Sequence, residues 1–139
     1  MKGLHFLIAD DHSIMRLMII QILRDQWPDA VCEEADNGLS LVDRAMTRKF
    51  DVVVSDVSMP HMDGLEALTI LRIGAPGLPV VISSINSAER YAVRAFHRGA
   101  AGFIPKPHLQ RLLVKAIRIA LRGKRYISIR MVVRLQAAS

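Results

Sequence analysis

Five short apolar segments, each followed by a helical pattern, constrain the fold of this chain more than any other feature. The third segment contains an unbroken valine run (DVVVS), which is typical of a parallel strand buried on both faces. The apolar segments span residues 4–9, 31–36, 51–55, 78–83 and 101–105, and the helical patterns span 13–27, 38–49, 65–73, 87–98 and 109–121. This alternation predicts an α/β fold, a doubly wound five-stranded parallel sheet with right-handed crossovers.

Length and composition favour one soluble, cytoplasmic domain. The 139 residues suffice for a single hydrophobic core, and Cys32 is the only cysteine, so no intrachain disulfide is possible. No apolar run reaches the roughly 18 residues that a membrane span needs. Two aspartates interrupt the short apolar stretch at the N-terminus, which argues against a signal peptide.

Charge is distributed unevenly along the chain. Residues 1–89 carry 7 Lys and Arg against all 13 Asp and Glu, a balance of −6, whereas residues 90–139 carry 12 Lys and Arg and no acid. The basic half is either a solvated face or a docking face for an acidic protein or a nucleic acid.

Polar side chains follow four of the predicted strands. Asp10 and Asp11 follow the first strand, Asp56 the third, Ser83 and Ser84 end the fourth, and Lys106 follows the fifth. Parallel strands bring their carboxyl ends to one edge, where ligands of open α/β sheets bind. Each residue alone has a commoner role, such as a helix cap for Asp10 or Asp11 or a surface position for Lys106. Their convergence instead predicts a single polar pocket.

Three close carboxylates predict a cation site. They repel one another unless a cation neutralises them, and Mg²⁺ binds to one or two carboxylates together with water and phosphate. Such a cluster suits phosphoryl transfer, with Asp56 as the nucleophile and Lys106 offsetting charge on the phosphoryl oxygens. Pro60 and Gly64 would shape the loop that follows Asp56.

The motifs IADDH, DVSMPHMDG, VVISS and GAAGFIPKP together resemble the receiver domain of bacterial two-component response regulators, the CheY-like family, over residues 4–122. This resemblance implies a flavodoxin-like (βα)5 fold with strand order 2-1-3-4-5. It also implies that a sensor histidine kinase donates a phosphoryl group to Asp56 with Mg²⁺ as cofactor, so that the chain is a phosphorelay receiver rather than an enzyme with turnover.

The resemblance also assigns roles to individual residues. Asp11 and Asp56 would bind Mg²⁺ directly, Asp10 would help, often through water, and the Ser58 backbone carbonyl would complete the metal site. Lys106 matches the family's motif lysine, and the Lys106–Pro107 bond is expected to be cis.

Three further residues match the family's switch positions. Ser83 matches the hydroxyl residue that moves toward the phosphoryl group, and Ser84 matches the small residue beside it. Phe103 matches the aromatic switch residue, which would turn inward after that movement and repack the face made by the fourth helix, fifth strand and fifth helix. Plain core packing is the alternative role of Phe103.

The last third of the chain resembles receivers of LuxR/NarL-type transcription factors. Residues 1–122 would then be the receiver, and residues 123–139 a tail or linker toward a DNA-binding domain absent from this chain, through which alone DNA would be bound. The alternative is a stand-alone receiver that controls a protein partner. Residues 127–139 could also form a terminal helix.

The first helical pattern, SIMRLMIIQIL, carries more apolar residues than one buried stripe can hold. Some of them should be exposed, and in the family this helix docks the kinase. A homodimer through the basic surface looks unfavourable unless Glu89 or earlier residues supply acids, which leaves the first or fifth helix as the alternative interface.

Two rival functions are a Mg²⁺-dependent phosphohydrolase and a binding module that is never phosphorylated. The hydrolase is disfavoured because Ser58 stands where a second catalytic acid would be expected.

Overall fold

A computed structural model of the chain describes residues 3–85 and 88–127. The elements, in chain order, are β1 (His5–Ala9), α1 (Ser13–Gln26), β2 (Val31–Ala35), α2 (Gly38–Thr47), β3 (Val52–Asp56), α3 (Gly64–Gly74), β4 (Val80–Ser84), α4 (Ala88–His97), β5 (Gly102–Pro105) and α5 (Leu109–Leu121). A 3-10 turn over Lys106–His108 joins β5 to α5. No helix among the described residues is both long enough and apolar enough to cross a bilayer.

The five strands form one parallel sheet in the order β2-β1-β3-β4-β5, as predicted. The chain therefore moves outward from β1 to β2 and then crosses back to β3 on the other side of β1. This reversal leaves a crevice beyond the carboxyl ends of β1 and β3, which is where doubly wound sheets bind ligands.

Two apolar layers cover the sheet, and alternate strand residues face each of them. Leu7, Val53 and Ile82 face the layer of α2, α3 and α4. Phe6, Val54 and Ile104 face the layer of α1 and α5. Each fully buried side chain of this size contributes about 1.5–3 kcal/mol, so the central strands are held rigidly from both sides.

Several predicted boundaries are displaced by one or two residues for identifiable reasons. β4 begins at Val80 rather than at residue 78, because Pro79 has no N–H to donate and only its carbonyl joins the ladder, to the Val53 N–H. α2 ends at Thr47, whose hydroxyl donates to the Asp43 carbonyl within the last turn.

The start of α1 agrees with the predicted pattern, which begins at residue 13. The helix begins at Ser13, and the residue before it, His12, makes no side-chain cap. The His12 backbone N–H is bound instead by Asp10 Oδ1 at 2.9 Å. Gly99, two residues after the end of α4, has the positive φ of 90° that is typical of a residue ending a helix.

Some predictions fall outside the described residues. They are the start of the fourth helix at Ser87, the acidic contribution of the Glu89 side chain to a dimer, and most of the tail that was predicted over residues 123–139.

Candidate functional site

The sheet register brings the predicted site residues to one crevice. Asp56 lies opposite Ser83 in the β3–β4 pair, and Ser84 lies opposite Pro105 in the β4–β5 pair. The crevice is an open pocket of about 400 Å³. Its lining includes most of the predicted site residues, namely Asp11, Asp56, Ser58, Ser84 and Lys106, together with His12, Met15, Ile85 and Tyr91.

Lys106 links two buried carboxylates at the floor of this pocket. Its Nζ lies 2.9 Å from Asp10 Oδ2 and 3.4 Å from Asp56 Oδ2. The side chains of Asp10 and Lys106 are 1% and 8% exposed, so both charges are nearly removed from water. A buried pair of this kind is stable only because each charge keeps a partner.

The pKa of the Asp56 carboxyl is raised above its ordinary value. Burial and the neighbouring charge of Asp10 both raise it, and Lys106 together with the Val57 backbone N–H, 2.8 Å from Asp56 Oδ1, offsets only part of this effect. The pKa of Lys106 is also raised, since its contacts with Asp10 and Asp56 outweigh the opposite effect of burial. The site therefore holds more negative charge than Lys106 neutralises.

The arrangement fits a divalent cation. Asp10, Asp11, His12 and Asp56 each offer one ligand atom, and these atoms lie within 4.8 Å of one another. Carboxylate oxygens are the ligands that Mg²⁺ prefers, and the excess negative charge favours a cation of this kind. The Asp11 side chain is 35% exposed, so it faces the solvent from which an ion would enter.

Two residues that were not predicted from the sequence, His12 and Arg16, contact the Asp10–Asp11 pair. His12 Nδ1 lies 3.1 Å from Asp10 Oδ1 and 3.0 Å from Asp11 Oδ1. Arg16 donates from Nη1 to the Asp10 carbonyl at 2.7 Å and from Nε to Glu34 Oε1 at 2.8 Å. The sequence did contain a signal for the Arg16 contacts, because Arg16 lies one helical turn after His12 and Glu34 lies near the end of the neighbouring strand.

Ser83 and Phe103, two of the predicted switch residues, are both buried. The Ser83 hydroxyl donates to the Ile104 carbonyl at 2.9 Å, so it is bound to the neighbouring strand. Phe103 is nevertheless already fully buried, packed with Ile82, Ala92 and Ala95. In this structure the Phe103 ring occupies the inner position while the Ser83 hydroxyl is bound to β5. The movement of both residues on phosphorylation stays a prediction.

The loop between β3 and α3 is fixed by close backbone contacts. A Cβ on Gly64 would lie 1.9 Å from the Asp56 carbonyl oxygen, and the Gly64 N–H donates to the Val57 carbonyl at 2.7 Å. His61 has a positive φ of 69°, a conformation uncommon outside glycine. Asp63 caps α3 by accepting the Glu66 N–H at 2.8 Å.

The expected cis bond at Lys106–Pro107 is not observed, since every peptide bond among residues 3–85 and 88–127 is trans. X–Pro bonds prefer trans by about 0.5–1 kcal/mol, and the 3-10 turn over Lys106–His108 forms with the trans bond.

The first helix exposes apolar side chains beside the pocket, as predicted. Ile14 and Leu17 are 81% and 65% exposed, and Met15 lines the pocket itself. Ile19, Ile20, Ile22 and Leu23 form the buried stripe of the same helix.

Sequence comparison finds close relatives of this chain. It is 36% identical over 122 residues to the response regulator GacA of Pseudomonas viridiflava, covering 88% of this chain and 57% of GacA. It is 40% identical over 104 residues to the chemotaxis protein CheY of Listeria monocytogenes, covering 75% of this chain and 87% of CheY. The chain thus spans little more than half the length of GacA.

Comparison with solved structures gives the same architecture. A LuxR-family two-component response regulator from Aurantimonas sp. SI85-9A1 superposes with a TM-score of 0.86, covering 99% of this chain and all of that one. At 24% identity this likeness concerns the fold. Residues 6–118 match the response regulator receiver domain. With the order of the strands and the acidic crevice, this match shows that the chain belongs to the receiver domain family of two-component response regulators.

Proposed function

We propose that Asp56 is the phosphoacceptor of this receiver and that its phosphorylation is the event that the domain transmits. The observation that carries the proposal is the position of Asp56, a nearly buried carboxylate that lies beside Lys106 and the Asp10–Asp11 pair and opens onto the pocket. Burial, together with repulsion from Asp10, raises the pKa of Asp56, and a more basic carboxylate is a stronger nucleophile once it is ionised.

Asp11, Asp56 and the Ser58 carbonyl would hold Mg²⁺, with Asp10 assisting through water. The ion supplies positive charge beside the phosphoryl oxygens, and this charge lowers their repulsion from the attacking carboxylate. The four-residue acidic and histidine cluster supports this assignment.

The chain's own groups would orient the transfer. An Asp56 oxygen forms the new bond to phosphorus while the bond from phosphorus to the donor's imidazole nitrogen breaks, and that nitrogen keeps the electron pair. The Val57 N–H holds Asp56 Oδ1 at 2.8 Å, which fixes the rotation of the carboxylate. Lys106 Nζ, already 3.4 Å from Oδ2, would contact the phosphoryl group after transfer. Ser83 would leave the Ile104 carbonyl to do the same.

Phosphorylation with a small donor tests the proposal. Incubation with Mg²⁺ and acetyl phosphate should add one phosphoryl group to the protein by intact mass spectrometry, and peptide mapping should place it on Asp56. The variant Asp56→Asn should gain none, whereas the control Asp43→Asn, an exposed acid on α2, should behave as the wild type. Modification at another residue, or none in the wild type, would contradict the assignment.

The same reaction separates a switch from a phosphohydrolase. A switch forms about one aspartyl phosphate per chain with slow loss, whereas a hydrolase releases phosphate over many turnovers. Ser58, two residues after Asp56, lines the pocket with a hydroxyl in place of a carboxylate, so no acid at this position is available to activate water. We therefore expect stoichiometric phosphorylation.

The partner that supplies the phosphoryl group would be a sensor histidine kinase docking on the exposed face of α1. Ile14 and Leu17 provide exposed apolar surface on the helix whose Met15 lines the pocket, so a partner bound to this helix would lie near the site. The variant Leu17→Glu should slow phosphotransfer from a phosphorylated kinase by about tenfold or more, as expected of an interface anchor. Labelling of the Leu17→Glu variant by acetyl phosphate should stay unchanged. Equal loss with both donors would contradict a docking role.

The output is proposed to be control of transcription through a further domain. GacA, a relative at 36% identity, is nearly twice as long as the matched region, which leaves room for such a domain. The stand-alone alternative is supported by Listeria CheY, of which the matched region covers 87%. The coding sequence downstream of Ser139 decides between them: a helix-turn-helix would support the first, and an immediate stop codon the second.

A further inference from the structure

His12 lies at the mouth of the acidic pocket and directs one ring nitrogen at the two aspartates that precede it. Its Nδ1 lies 3.1 Å from Asp10 Oδ1 and 3.0 Å from Asp11 Oδ1. The His12 backbone N–H also donates to Asp10 Oδ1 at 2.9 Å, as in an Asx turn, and this bond fixes the backbone that carries the ring. The position of Nδ1 beside two carboxylate oxygens is therefore set by the local fold at the start of α1.

The imidazole changes which cations suit the pocket. Mg²⁺ binds oxygen ligands, keeps several waters and prefers octahedral geometry. Imidazole nitrogen suits Zn²⁺, which takes nitrogen and carboxylate ligands in a tetrahedron. Asp10, Asp11, His12 and Asp56 supply one nitrogen and three oxygens, all within 4.8 Å of one another. These four atoms have the number and the chemistry of a closed tetrahedral zinc site.

The distances around His12 also fit such an ion. Zn–N and Zn–O bonds of about 2.0–2.2 Å place tetrahedral ligand atoms roughly 3.3–3.6 Å apart. The two contacts of His12 Nδ1, at 3.1 and 3.0 Å, are already close to that spacing. Wider separations within the cluster must shrink, and the side chains of His12 and Asp11, 71% and 35% exposed, have room to move inward toward the buried Asp10.

We propose that Zn²⁺ binds to Asp10, Asp11, His12 and Asp56 in competition with Mg²⁺ and slows the phosphorylation of this receiver. Four protein ligands complete a tetrahedral ion, whereas an ion that assists phosphoryl transfer needs an open position for a phosphoryl oxygen. His12 is the ligand that closes the site. This inference rests on the proposed phosphoacceptor role of Asp56 and adds an inhibitory ion to it.

Zinc affinity measured without a phosphodonor tests the site itself. Isothermal titration calorimetry with zinc alone and with magnesium alone gives a ratio of two affinities for each protein. In His12→Ala the preference for zinc over magnesium should fall about tenfold or more, because the nitrogen ligand is lost. The matched control His97→Ala removes an exposed histidine at the end of α4, which is not one of the four cluster residues, and should keep the wild-type ratio. An unchanged ratio in His12→Ala, or an equal loss in both variants, would overturn the proposal.

Co²⁺ reports the geometry of the site by its colour. Tetrahedral Co²⁺ absorbs visible light much more strongly than octahedral Co²⁺, and it occupies zinc sites. The wild type and His97→Ala should give strong visible bands that added Zn²⁺ removes, whereas His12→Ala should give only the weak bands of an octahedral ion. Weak bands in the wild type, or equally strong bands in His12→Ala, would exclude a tetrahedral site closed by His12.

Acetyl phosphate labelling connects the ion with phosphorylation. Each protein is labelled with Mg²⁺ alone and with Mg²⁺ plus Zn²⁺, and its rate with zinc is divided by its own rate without zinc. At free Zn²⁺ about ten times its apparent Kd, this ratio should fall about tenfold in the wild type and in His97→Ala. At the same zinc concentration the ratio should stay near one in His12→Ala.

The wild type labelled with Mg²⁺ alone separates the two proposals. Absence of labelling under that condition contradicts the phosphoacceptor role of Asp56, whatever zinc does. Normal labelling that Zn²⁺ leaves unchanged in the wild type, or slows equally in His12→Ala, contradicts inhibition through His12 and leaves the phosphoacceptor role intact.

Discussion

Lys106 Nζ lies closer to Asp10 Oδ2, at 2.9 Å, than to Asp56 Oδ2, at 3.4 Å. The lysine is therefore held mainly by a residue that is not the proposed phosphoacceptor. Asp10 therefore acts on Asp56 in two ways. It forms the shorter contact with Lys106, and its own charge raises the pKa of Asp56.

Removing the charge of Asp10 should weaken cation binding. In Asp10→Asn, Lys106 shifts toward Asp56, the pKa of Asp56 falls, and the cluster attracts a cation less strongly. We expect Mg²⁺ affinity, measured by isothermal titration calorimetry, to fall about tenfold or more. Glu66→Gln, an exposed acid at the start of α3, is the control and should bind as the wild type. Unchanged affinity in Asp10→Asn would contradict a role for Asp10 in the site.

Neutralising Asp56 should stabilise the protein at neutral pH in the absence of divalent cations. The pKa of Asp56 is higher in the folded state than its ordinary value of 3.8, so ionisation costs the folded protein free energy above that range. Asp56→Asn removes this cost, and its free energy of unfolding in urea should exceed that of the wild type at pH 7. The gain should shrink on acidification and vanish below the ordinary pKa, where Asp56 is protonated in both states. A wild type more stable than Asp56→Asn at pH 7 would show that Lys106 fully compensates the charge.

Arg16 should act as a positioning residue for the acidic pair. It joins the Asp10 carbonyl to Glu34, and its side chain is only 16% exposed. Arg16→Ala should weaken Mg²⁺ binding about tenfold, the usual effect of losing an outer partner of a metal ligand. Saturating Mg²⁺ should restore labelling of Asp56 by acetyl phosphate. Lys49→Ala, an exposed cation between α2 and β3, should change neither quantity. Labelling that stays low at saturating Mg²⁺ would indicate a structural role only.

Two glycines should respond oppositely to the same substitution. In Gly64→Ala the new Cβ would meet the Asp56 carbonyl oxygen at 1.9 Å, so backbone must move, and we expect a loss of about 3 kcal/mol in the free energy of unfolding. An added Cβ on Gly77 meets nothing within 4 Å, and its φ is not positive, so Gly77→Ala should stabilise by about 0.4–1 kcal/mol. Urea denaturation measures both. Equal stability of the two variants would contradict the close approach at Gly64.

The periodicity of apolar residues predicted the helices and strands well where the burial of one face determines the structure. The predicted α5 has the observed bounds, Leu109–Leu121, because its apolar stripe is uninterrupted. The convergence of Asp10, Asp56 and Lys106 also followed from the parallel sheet, since parallel strands bring their carboxyl ends to one edge. Boundaries were less accurate where a single backbone group decides them, as at Pro79, which delays the start of β4 to Val80.

The contacts that Arg16 makes beside the Asp10–Asp11 pair and those that Arg125 makes were not predicted, and the reason is physical. Arg16 reaches Glu34 across 18 positions, and Arg125 reaches the Phe96 carbonyl across 29 positions. Long basic side chains carry no periodic signal that reveals which carbonyl they bind.

The pairing of Tyr126 with Gly102 on β5 also affects how the sheet of one molecule meets the sheet of another. With β5 covered, β2 is the uncovered margin of the sheet within residues 3–85 and 88–127. That margin carries Glu33 and Glu34 in its middle, both paired with arginine side chains, and strand addition by a second copy would have to proceed past these charged groups. Concentrated protein should therefore resist aggregation by strand addition.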